Sequence, residues 1–524
     1  MSATVYEKFC ETARAHPDRP FLNVIPITAK AYNIDAGEIS YNALYSRVEK
    51  RKERYAEKKY SKGRRVGLLL ENRPVFFEHW FALNGLGVSV VPINPDLRIS
   101  ELSYVLDHSE QCLCVAIEGR HAELKQACPD LIVIGPDDMP PAAPANCVVE
   151  DDEAALLYTS GTTAQPKGCV LSNEYYLMCG DWYYSVDGLC ALSGDGERML
   201  TPLPLFHMNA MACSVMGMIS VGGCLSVLDR FHPSTWWQDV RDARASIIHY
   251  LGVMPAILMN MPESRNDKAN TVRFGFGAGV DRALHAPFEE RFGFPLIEAW
   301  AMTETGNGAV VAASQEPRHV GTNCFGKPAS SVDARIVDAS DEDVARGEEG
   351  ELLVRHAGSN SQKGFFTRYL KNPEATAQAW AGGWFHTGDV VRENPDGTLV
   401  FIDRKKNVIR RSGENIAAVE VESILNKHPA VDASAVAAVP DPLRGDEVFA
   451  CIVKSADISA EELMKWCLAQ LAYYKAPGYV AFVDALPVTA TNKLNRGKLA
   501  DLVRELHGTG DALDTRYLKK RDAS

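Results

Sequence analysis

Short apolar runs rich in β-forming residues alternate with longer helical patterns in the first part of the chain. Between residues 65 and 117 the order is RVGLLLE, the helical PVFFEHWFALNGLG, VSVVPIN, the helical ELSYVLDHSE and CLCVAI. Such alternation is typical of parallel strands joined by crossover helices. It predicts an α/β fold with a large N-terminal domain of αβ layers and parallel-type sheets.

The character of the sequence changes near residue 403, where we predict a domain boundary. The segment DRKKNVIRRSGENI is polar and charged, and a new β/α pattern follows in VDASAVAAVP, VFACIVK and EELMKWCLAQL. Polar, charged linkers commonly separate domains. We expect a core domain over residues 1–403 and a small, mobile α+β domain over residues 404–524.

Charge and cysteine content exclude several classes of protein. The net charge of −13 argues against nucleic acid as a partner, because phosphate backbones are bound by basic surfaces. The 13 cysteines are odd in number and scattered, and the N-terminus lacks an apolar secretory core. We therefore expect a cytoplasmic protein. Its expected assembly state, monomer or homodimer, does not depend on these features. Residues 208–228 carry no charge, but Gly222 and Gly223 interrupt them, so we predict a buried helix, a turn and a strand there.

The segment LLYTSGTTAQPKGCVLS, residues 156–172, has the composition of a phosphate-binding loop. Such a loop needs small residues that let phosphate approach the backbone amides, hydroxyl donors and a positive charge. Pro166 stands before Lys167 where the mononucleotide loop has glycine, so that pattern is not matched. A Ser/Thr-rich surface turn is the alternative. The candidate residues are Thr159, Ser160, Gly161, Thr162, Thr163 and Lys167.

Three further segments make the phosphate-loop interpretation specific. They are AWAMTET at 299–305, GWFHTGD at 383–389 and LPVTATNKLNR at 486–496. Together with the loop, their order and spacing resemble the adenylate-forming superfamily of acyl-CoA synthetases, luciferases and peptide-synthetase adenylation enzymes. The resemblance extends over nearly the whole chain. It implies ATP, Mg²⁺ and CoA as cofactor and co-substrates.

The resemblance implies roles for individual residues in the first half-reaction, in which a carboxylate attacks the α-phosphate of ATP. The 159–167 loop would close over the β- and γ-phosphates, and Lys493 would offset the charge that develops in transfer. Glu304 would be the magnesium ligand, with Thr162 beside it, since Mg²⁺ prefers oxygen ligands. Trp300 takes the place of a tyrosine against adenine, and Asn492 replaces a glycine before Lys493. The remaining nucleotide-contacting positions would be Gly277, Ala278, Gly279, Met302, Thr303, Asp389 and Arg404.

The second half-reaction, transfer of the acyl group to CoA, is also implied by the resemblance. The C-terminal domain would rotate about Lys406, replacing Lys493 at the site with RRSGENI, residues 410–416. Gly413 would line the pantetheine tunnel, where a side chain would obstruct the thiol. His207 would separate the acyl pocket from that tunnel; a buried core histidine is the alternative.

The resemblance favours an AMP-forming carboxylic acid–CoA ligase. No carrier domain follows within these 524 residues, which disfavours an assembly-line adenylation module, and retention of Lys493 and Glu304 disfavours a non-catalytic nucleotide binder. A luciferase-like enzyme, a stand-alone adenylation enzyme and an aryl- or fatty-acid-CoA ligase stay open. The segments NRPVFFEHWFALNGLGVSVVPIN and SGENIAAVEVE resemble those of carnitine and crotonobetaine CoA ligases, so a betaine-like acid is one candidate among small and medium acids. Its cationic head would sit among Asp181, Trp182, Tyr183, Tyr184 and Asp187, with a neutral acid in a pocket of His207, Gly277 and Met302 as the alternative.

Overall fold

The computed structural model describes residues 3–145, 149, 152–159, 165–404, 408–487 and 494–520, with the backbone alone at 403 and 404. Helix starts follow local chemistry: α4 begins with proline, whose missing N–H costs nothing in a first turn. The helices are α1 (Val5–Ala15), α2 (Pro26–Tyr32), α3 (Tyr41–Glu57), α4 (Pro74–Asn84), α5 (Ile99–Ser109), α6 (His121–Ala127), α7 (Asn173–Ser185), α8 (Val215–Val221), α9 (Trp236–Ala243), α10 (Val253–Met259), α11 (Arg282–Phe292), α12 (Pro373–Ala379), α13 (Ala418–Leu425), α14 (Ala460–Leu468) and α15 (Arg496–Thr509).

The strands are short, and those of the sheet centres are buried on both faces. The strands are β1 (Pro20–Val24), β2 (Gly37–Ser40), β3 (Arg65–Leu69), β4 (Ser89–Pro92), β5 (Leu113–Ala116), β6 (Val133–Ile134), β7 (Glu153–Thr159), β8 (Lys167–Ser172), β9 (Arg198–Thr201), β10 (Cys224–Val227), β11 (Ile247–Leu251), β12 (Phe274–Ala278), β13 (Leu296–Trp300), β14 (Val311–Ala312), β15 (Cys324–Gly326), β16 (Val332–Val337), β17 (Glu349–His356), β18 (Arg368–Tyr369), β19 (Phe385–Glu393), β20 (Leu399–Arg404), β21 (Val408–Arg411), β22 (Glu414–Ala417), β23 (Val431–Asp441), β24 (Gly445–Lys454), β25 (Tyr479–Phe482) and β26 (Leu513–Asp514).

The described strands form sheets of eight, seven, five and six strands. The eight-stranded sheet has the order β14-β13-β12-β11-β9-β10-β1-β2 and is parallel from β13 to β1. The seven-stranded sheet, β18-β8-β7-β4-β3-β5-β6, is parallel from β7 to β6. Because helices connect these parallel strands, the predicted α/β fold is confirmed. The five-stranded sheet, β15-β20-β19-β17-β16, is antiparallel.

The smaller C-terminal domain has its own sheet and its own core. The sheet has the order β22-β21-β24-β25-β26, and β23 pairs with β24. Two hydrophobic clusters lie on this sheet, and every buried residue in them comes from position 409 or later. A separate core of this kind allows the domain to move as a unit.

The uncharged segment at 208–228 folds as predicted. A π-helix (Asn209–Ser214) runs into α8, which ends at Gly222 in the left-handed region with φ of 60°, and β10 follows. Glycine at this position closes the helix without a Cβ penalty. Among the described residues, each helix is too short or too polar to cross a bilayer. Twelve cysteines in the described ranges are free thiols.

Candidate active site

The predicted phosphate loop connects two antiparallel strands of the seven-stranded sheet. Thr159 ends β7 directly opposite Lys167, which begins β8, so the loop leaves and re-enters the sheet at the same end. The Thr159 hydroxyl lies 3.9 Å from the Cys169 sulfur. Ser160, Gly161, Thr162 and Thr163 lie outside the described residues.

A carboxylate, a phenol and an ammonium group converge next to this loop. Glu304 is only 7% exposed, and its Oε1 accepts a 2.8 Å hydrogen bond from the Tyr369 hydroxyl. The Lys167 ammonium lies 4.6 Å from the centre of the Tyr369 ring. Burial first, and then the charge of Glu304, raise the pKa of Tyr369 well above its usual value, so its hydroxyl stays a donor. The sequence interpretation missed Tyr369, because nothing near KNPEA marks it as a site residue.

The donor set around Glu304 fits a magnesium ion that is held mainly by nucleotide phosphates. Mg²⁺ sites of that kind use one or two carboxylates and keep several waters. Glu304 offers one carboxylate, and within the described ranges no group of three or more His, Cys, Asp or Glu side chains is arranged as a metal cage.

Trp300 and Asp389 lie far apart in sequence and meet across two sheets. The Trp300 indole N–H donates a 2.9 Å hydrogen bond to Asp389 Oδ2, and both residues are buried. Asp389 pairs with Arg404 in the ladder between β19 and β20. Tryptophan thus supplies an N–H donor at the position where the resemblance implied the loss of a tyrosine hydroxyl.

The glycine segment after β12 is held by a buried glutamate. A Cβ on Gly277 would overlap the carbonyl of Tyr250, whereas Gly279 has φ of 81° and open space above it. Glu298 accepts backbone hydrogen bonds of 2.8 Å from Gly279 and from Val280. Burial raises the pKa of Glu298 despite these bonds. Glu298 was missed, although a lone carboxylate in the apolar run LIEAW was the available signal.

The turn that carries Met302 and Thr303 is fixed by two hydrogen bonds. The Met302 N–H donates to Thr305 Oγ1 at 2.9 Å, and the Tyr175 hydroxyl donates to the Thr303 carbonyl at 2.9 Å. Ala278 precedes Gly279 at the end of β12. Met302 and Thr303 thus lie in a fixed turn between Trp300 and Glu304.

A hairpin of the C-terminal domain reaches His207 of the large domain. His207 Nε2 lies 3.0 Å from Glu414 Oε1, and the His207 side chain is 38% exposed. Burial lowers the pKa of His207, but the charge and hydrogen bond of Glu414 outweigh it, so the net shift is upward. At the tip, Gly413 has φ of 90°, and a Cβ there would overlap Leu251. Lys406 and Lys493 lie outside the described residues.

A buried ion-pair network also joins the two domains. Lys475 Nζ lies 2.6 Å from Glu101 Oε1, in α5 of the large domain, and 2.7 Å from Glu420 Oε1, in α13. Glu101 Oε2 accepts from the Ala472 N–H at 2.8 Å. Two further hydrogen bonds cross this interface, from Asn94 Nδ2 to the Tyr474 hydroxyl at 3.0 Å and from Ser100 Oγ to the Gln470 carbonyl at 2.7 Å. None of these residues was predicted from the sequence.

The proposed cationic pocket in α7 is not assembled. Tyr183 is fully buried, whereas Tyr184 is 62% exposed, and Asp181 and Asp187 also face solvent. Trp182 packs at 5.8 Å from the Phe276 ring. Successive helical residues point in different directions, so the aromatic faces and carboxylates cannot surround one ligand.

Sequence comparison matches two family models to the chain, the AMP-binding enzyme at residues 9–366 and the AMP-binding enzyme C-terminal domain at residues 420–493. A crotonobetaine/carnitine–CoA ligase of Escherichia coli O157:H7 is 31% identical over 465 residues, covering 84% of this chain and 88% of that protein.

Solved structures of two ligases have the same fold. A double mutant of o-succinylbenzoate CoA synthetase from Bacillus subtilis, bound to a product analogue, superposes with a TM-score of 0.80 at 25% identity, covering 94% of this chain and 98% of that one. A malonyl-CoA ligase with methylmalonyl-CoA and AMP bound gives 0.72 at 27% identity, covering 90% and 97%.

Proposed function

This chain belongs to the AMP-binding enzyme family, and we propose that it is an AMP-forming carboxylic acid–CoA ligase whose two half-reactions use the residues described above. The observation that carries the proposal is the insertion of the 410–416 hairpin beside His207. Glycine at the tip, where a Cβ would overlap Leu251, lets the hairpin backbone pack closely against β11 beside the predicted acyl pocket. An enzyme that stopped at the adenylate would have no need for this arrangement.

In the first half-reaction a substrate carboxylate oxygen attacks the α-phosphorus of ATP, pyrophosphate leaves, and an acyl-adenylate forms. We assign the phosphates to the 159–167 loop, with Lys493 offsetting the charge of the two anions as they meet. Adenine would stack on Trp300, and Asp389 and Arg404 would bind the ribose. Glu304, with Thr162, would hold Mg²⁺, which neutralises phosphate charge when it is bound.

In the second half-reaction the CoA thiolate attacks the acyl carbonyl, and AMP leaves. The C-terminal domain would turn about Lys406 between the two steps, and the boundary between the moving units would be at residue 404. The contacts of His207 with Glu414 and of Gly413 with Leu251 support the present arrangement as the one for thioester formation.

We also propose a substrate class, a cellular location and an assembly state. The similarity to a crotonobetaine/carnitine–CoA ligase supports a small or medium acid as the substrate. We propose that His207, Gly277 and Met302 border the pocket for this acid. The free thiols of the described residues support a reducing cytoplasm, and we propose a monomer or homodimer.

The test is pyrophosphate release over a panel of carboxylic acids, with and without CoA. We expect release that depends on one class of acid, AMP as the nucleotide product, and a thioester only when CoA is present. Release of ADP, or light emission with an added luciferin in place of thioester, would contradict the proposal.

A further inference from the structure

A fully buried histidine lies next to the predicted acyl pocket and has three hydrogen-bond partners. His249 Nε2 lies 3.0 Å from the Tyr183 hydroxyl, and its Nδ1 lies 2.7 Å from Asn209 Oδ1 and 2.9 Å from Ser214 Oγ. Burial lowers the pKa of His249 to about 3. The ring is therefore neutral near pH 7 and carries one N–H.

The partners decide which nitrogen of His249 carries the proton. Ser214 Oγ donates its hydrogen to the Asn209 backbone carbonyl at 3.2 Å, so towards the ring it is an acceptor. The carboxamide oxygen of Asn209 accepts only. Nδ1 is thus the donor to both, and Nε2 accepts from the Tyr183 hydroxyl.

This arrangement turns the Asn209 side chain in one direction. Because its oxygen faces His249, its NH₂ group faces the opposite way, and it has no hydrogen-bond partner within the part of the chain that the structure describes. Asn209 is half-buried and not enclosed in the core, so a ligand can reach this NH₂ group. An amide that is held by one end is a preorganised donor at the other.

The position of Asn209 places this donor beside the reaction centre. Asn209 begins the π-helix two residues after His207, which contacts the C-terminal hairpin. Its partner His249 lies two residues before Leu251, which contacts Gly413. The hydrogen bond to His249 thus holds the amide at the face of β11 that meets the hairpin, next to the predicted acyl pocket and thiol entry.

Resting on the proposed ligase function, we propose that the Asn209 NH₂ binds an uncharged hydrogen-bond acceptor on the acyl chain, so that the substrates are hydroxy-, oxo- or amido-substituted acids. A site built to pair with a polar group rejects the analogue that lacks it, because the protein donor is then left unsatisfied. A second carboxylate is disfavoured, because the neutral His249 behind the amide brings no positive charge to offset it.

The experiment compares kcat/KM for pyrophosphate release among matched acids of equal chain length: unsubstituted, hydroxy- or oxo-substituted, and dicarboxylic. We expect about a tenfold or larger preference for the substituted acid in the parent enzyme, the usual scale for one hydrogen bond. Asn209→Asp is the key variant, because Asp can still accept from His249 Nδ1 but presents no NH₂. In that variant the ratio of substituted to unsubstituted acid should fall to about one.

Two comparisons keep the outcome clear. Tyr183→Phe removes the donor to Nε2 and so weakens, but does not abolish, the preference for the Nδ1–H tautomer of His249, and the ratio should fall partway. Unfolding temperatures establish that each variant is folded. The proposal is overturned if the parent does not distinguish the acids, prefers the dicarboxylic one, or if Asn209→Asp keeps the preference or alters only the KM for CoA. If no acid releases pyrophosphate with the parent, the ligase function itself is refuted and this inference with it.

Discussion

Replacing Glu101 by glutamine should slow thioester formation without slowing adenylate formation. Glu101 accepts from the Lys475 ammonium through one carboxylate oxygen and from the Ala472 N–H through the other. In Glu101→Gln one of these oxygens becomes an NH₂, which cannot accept. Either orientation of the new amide therefore loses one hydrogen bond between the domains.

The magnitude follows from the burial of the pair. The Lys475 and Glu101 side chains are 5% and 8% exposed, so solvent replaces the lost bond poorly. A hydrogen bond to a charged group is worth about 1.5–3 kcal/mol. At about 1.36 kcal/mol per factor of ten, the equilibrium constant for the docked arrangement should fall roughly 10- to 150-fold. Glu101 also accepts from the Arg98 N–H within its own helix, but that contact is local to α5 and is present in any domain orientation.

The assay is a single-turnover measurement of each half-reaction. Adenylate formation is measured by quenching without CoA, and thioester formation by mixing preformed acyl-adenylate enzyme with CoA. The second rate should drop about 10- to 150-fold, while the first stays within about threefold. Glu123→Gln is the matched control, because the half-exposed Glu123 forms its ion pair with Arg120 of the same domain. Equal loss in both steps, or no loss in the second, would refute the role of this ion-pair network in thioester formation.

Three other changes test the assigned roles. Lys493→Ala should reduce pyrophosphate exchange by roughly 10²–10³-fold with little change in ATP binding, and exchange within about threefold of the parent would contradict its role. Lys406→Pro should let adenylate form but impede thioester formation, because proline fixes φ at the hinge; equal loss in both steps of a folded variant would count against it. Glu414 raises the pKa of His207, so their attraction is present at low pH and is lost as pH rises through that raised pKa. Glu414→Gln should move the fall in thioester rate to lower pH, and an unchanged profile would exclude this pairing.

Local patterns were enough to predict the fold, whereas the candidate site residues came from the resemblance to the adenylate-forming superfamily. The alternating segments between residues 65 and 117 form β3, α4, β4, α5 and β5. They could be predicted because the spacing of apolar residues that distinguishes a strand from a helix is visible among neighbouring residues. Trp300 and Asp389 were both recognised from their segments. Their hydrogen bond across 89 positions was not, since it depends on how two sheets meet.

Other parts of the site have no local signal. Lys475 and Glu101 are 374 positions apart, and each alone looks like a solvated charge. The prediction for α7 was wrong for a different reason: it grouped residues by composition, whereas the helical period sends Tyr183 into the core and Tyr184 into solvent. Only the three-dimensional arrangement decides which neighbours in sequence are neighbours in a site.

Strand β11 contacts three segments of the candidate site through its two faces. His249 and Leu251 lie on one face and Tyr250 on the other, because side chains alternate along a strand. On the first face His249 orients Asn209 and Leu251 meets the hairpin tip. On the second, the Tyr250 hydroxyl lies 3.5 Å from Glu298, which accepts from the backbone of Gly279 in the candidate nucleotide-binding segment. A shift of one residue would exchange the faces and disrupt all three contacts. Since β11 is paired in the centre of a parallel sheet, we expect the proposed acyl and nucleotide walls to stay fixed while the C-terminal domain moves between the proposed half-reactions.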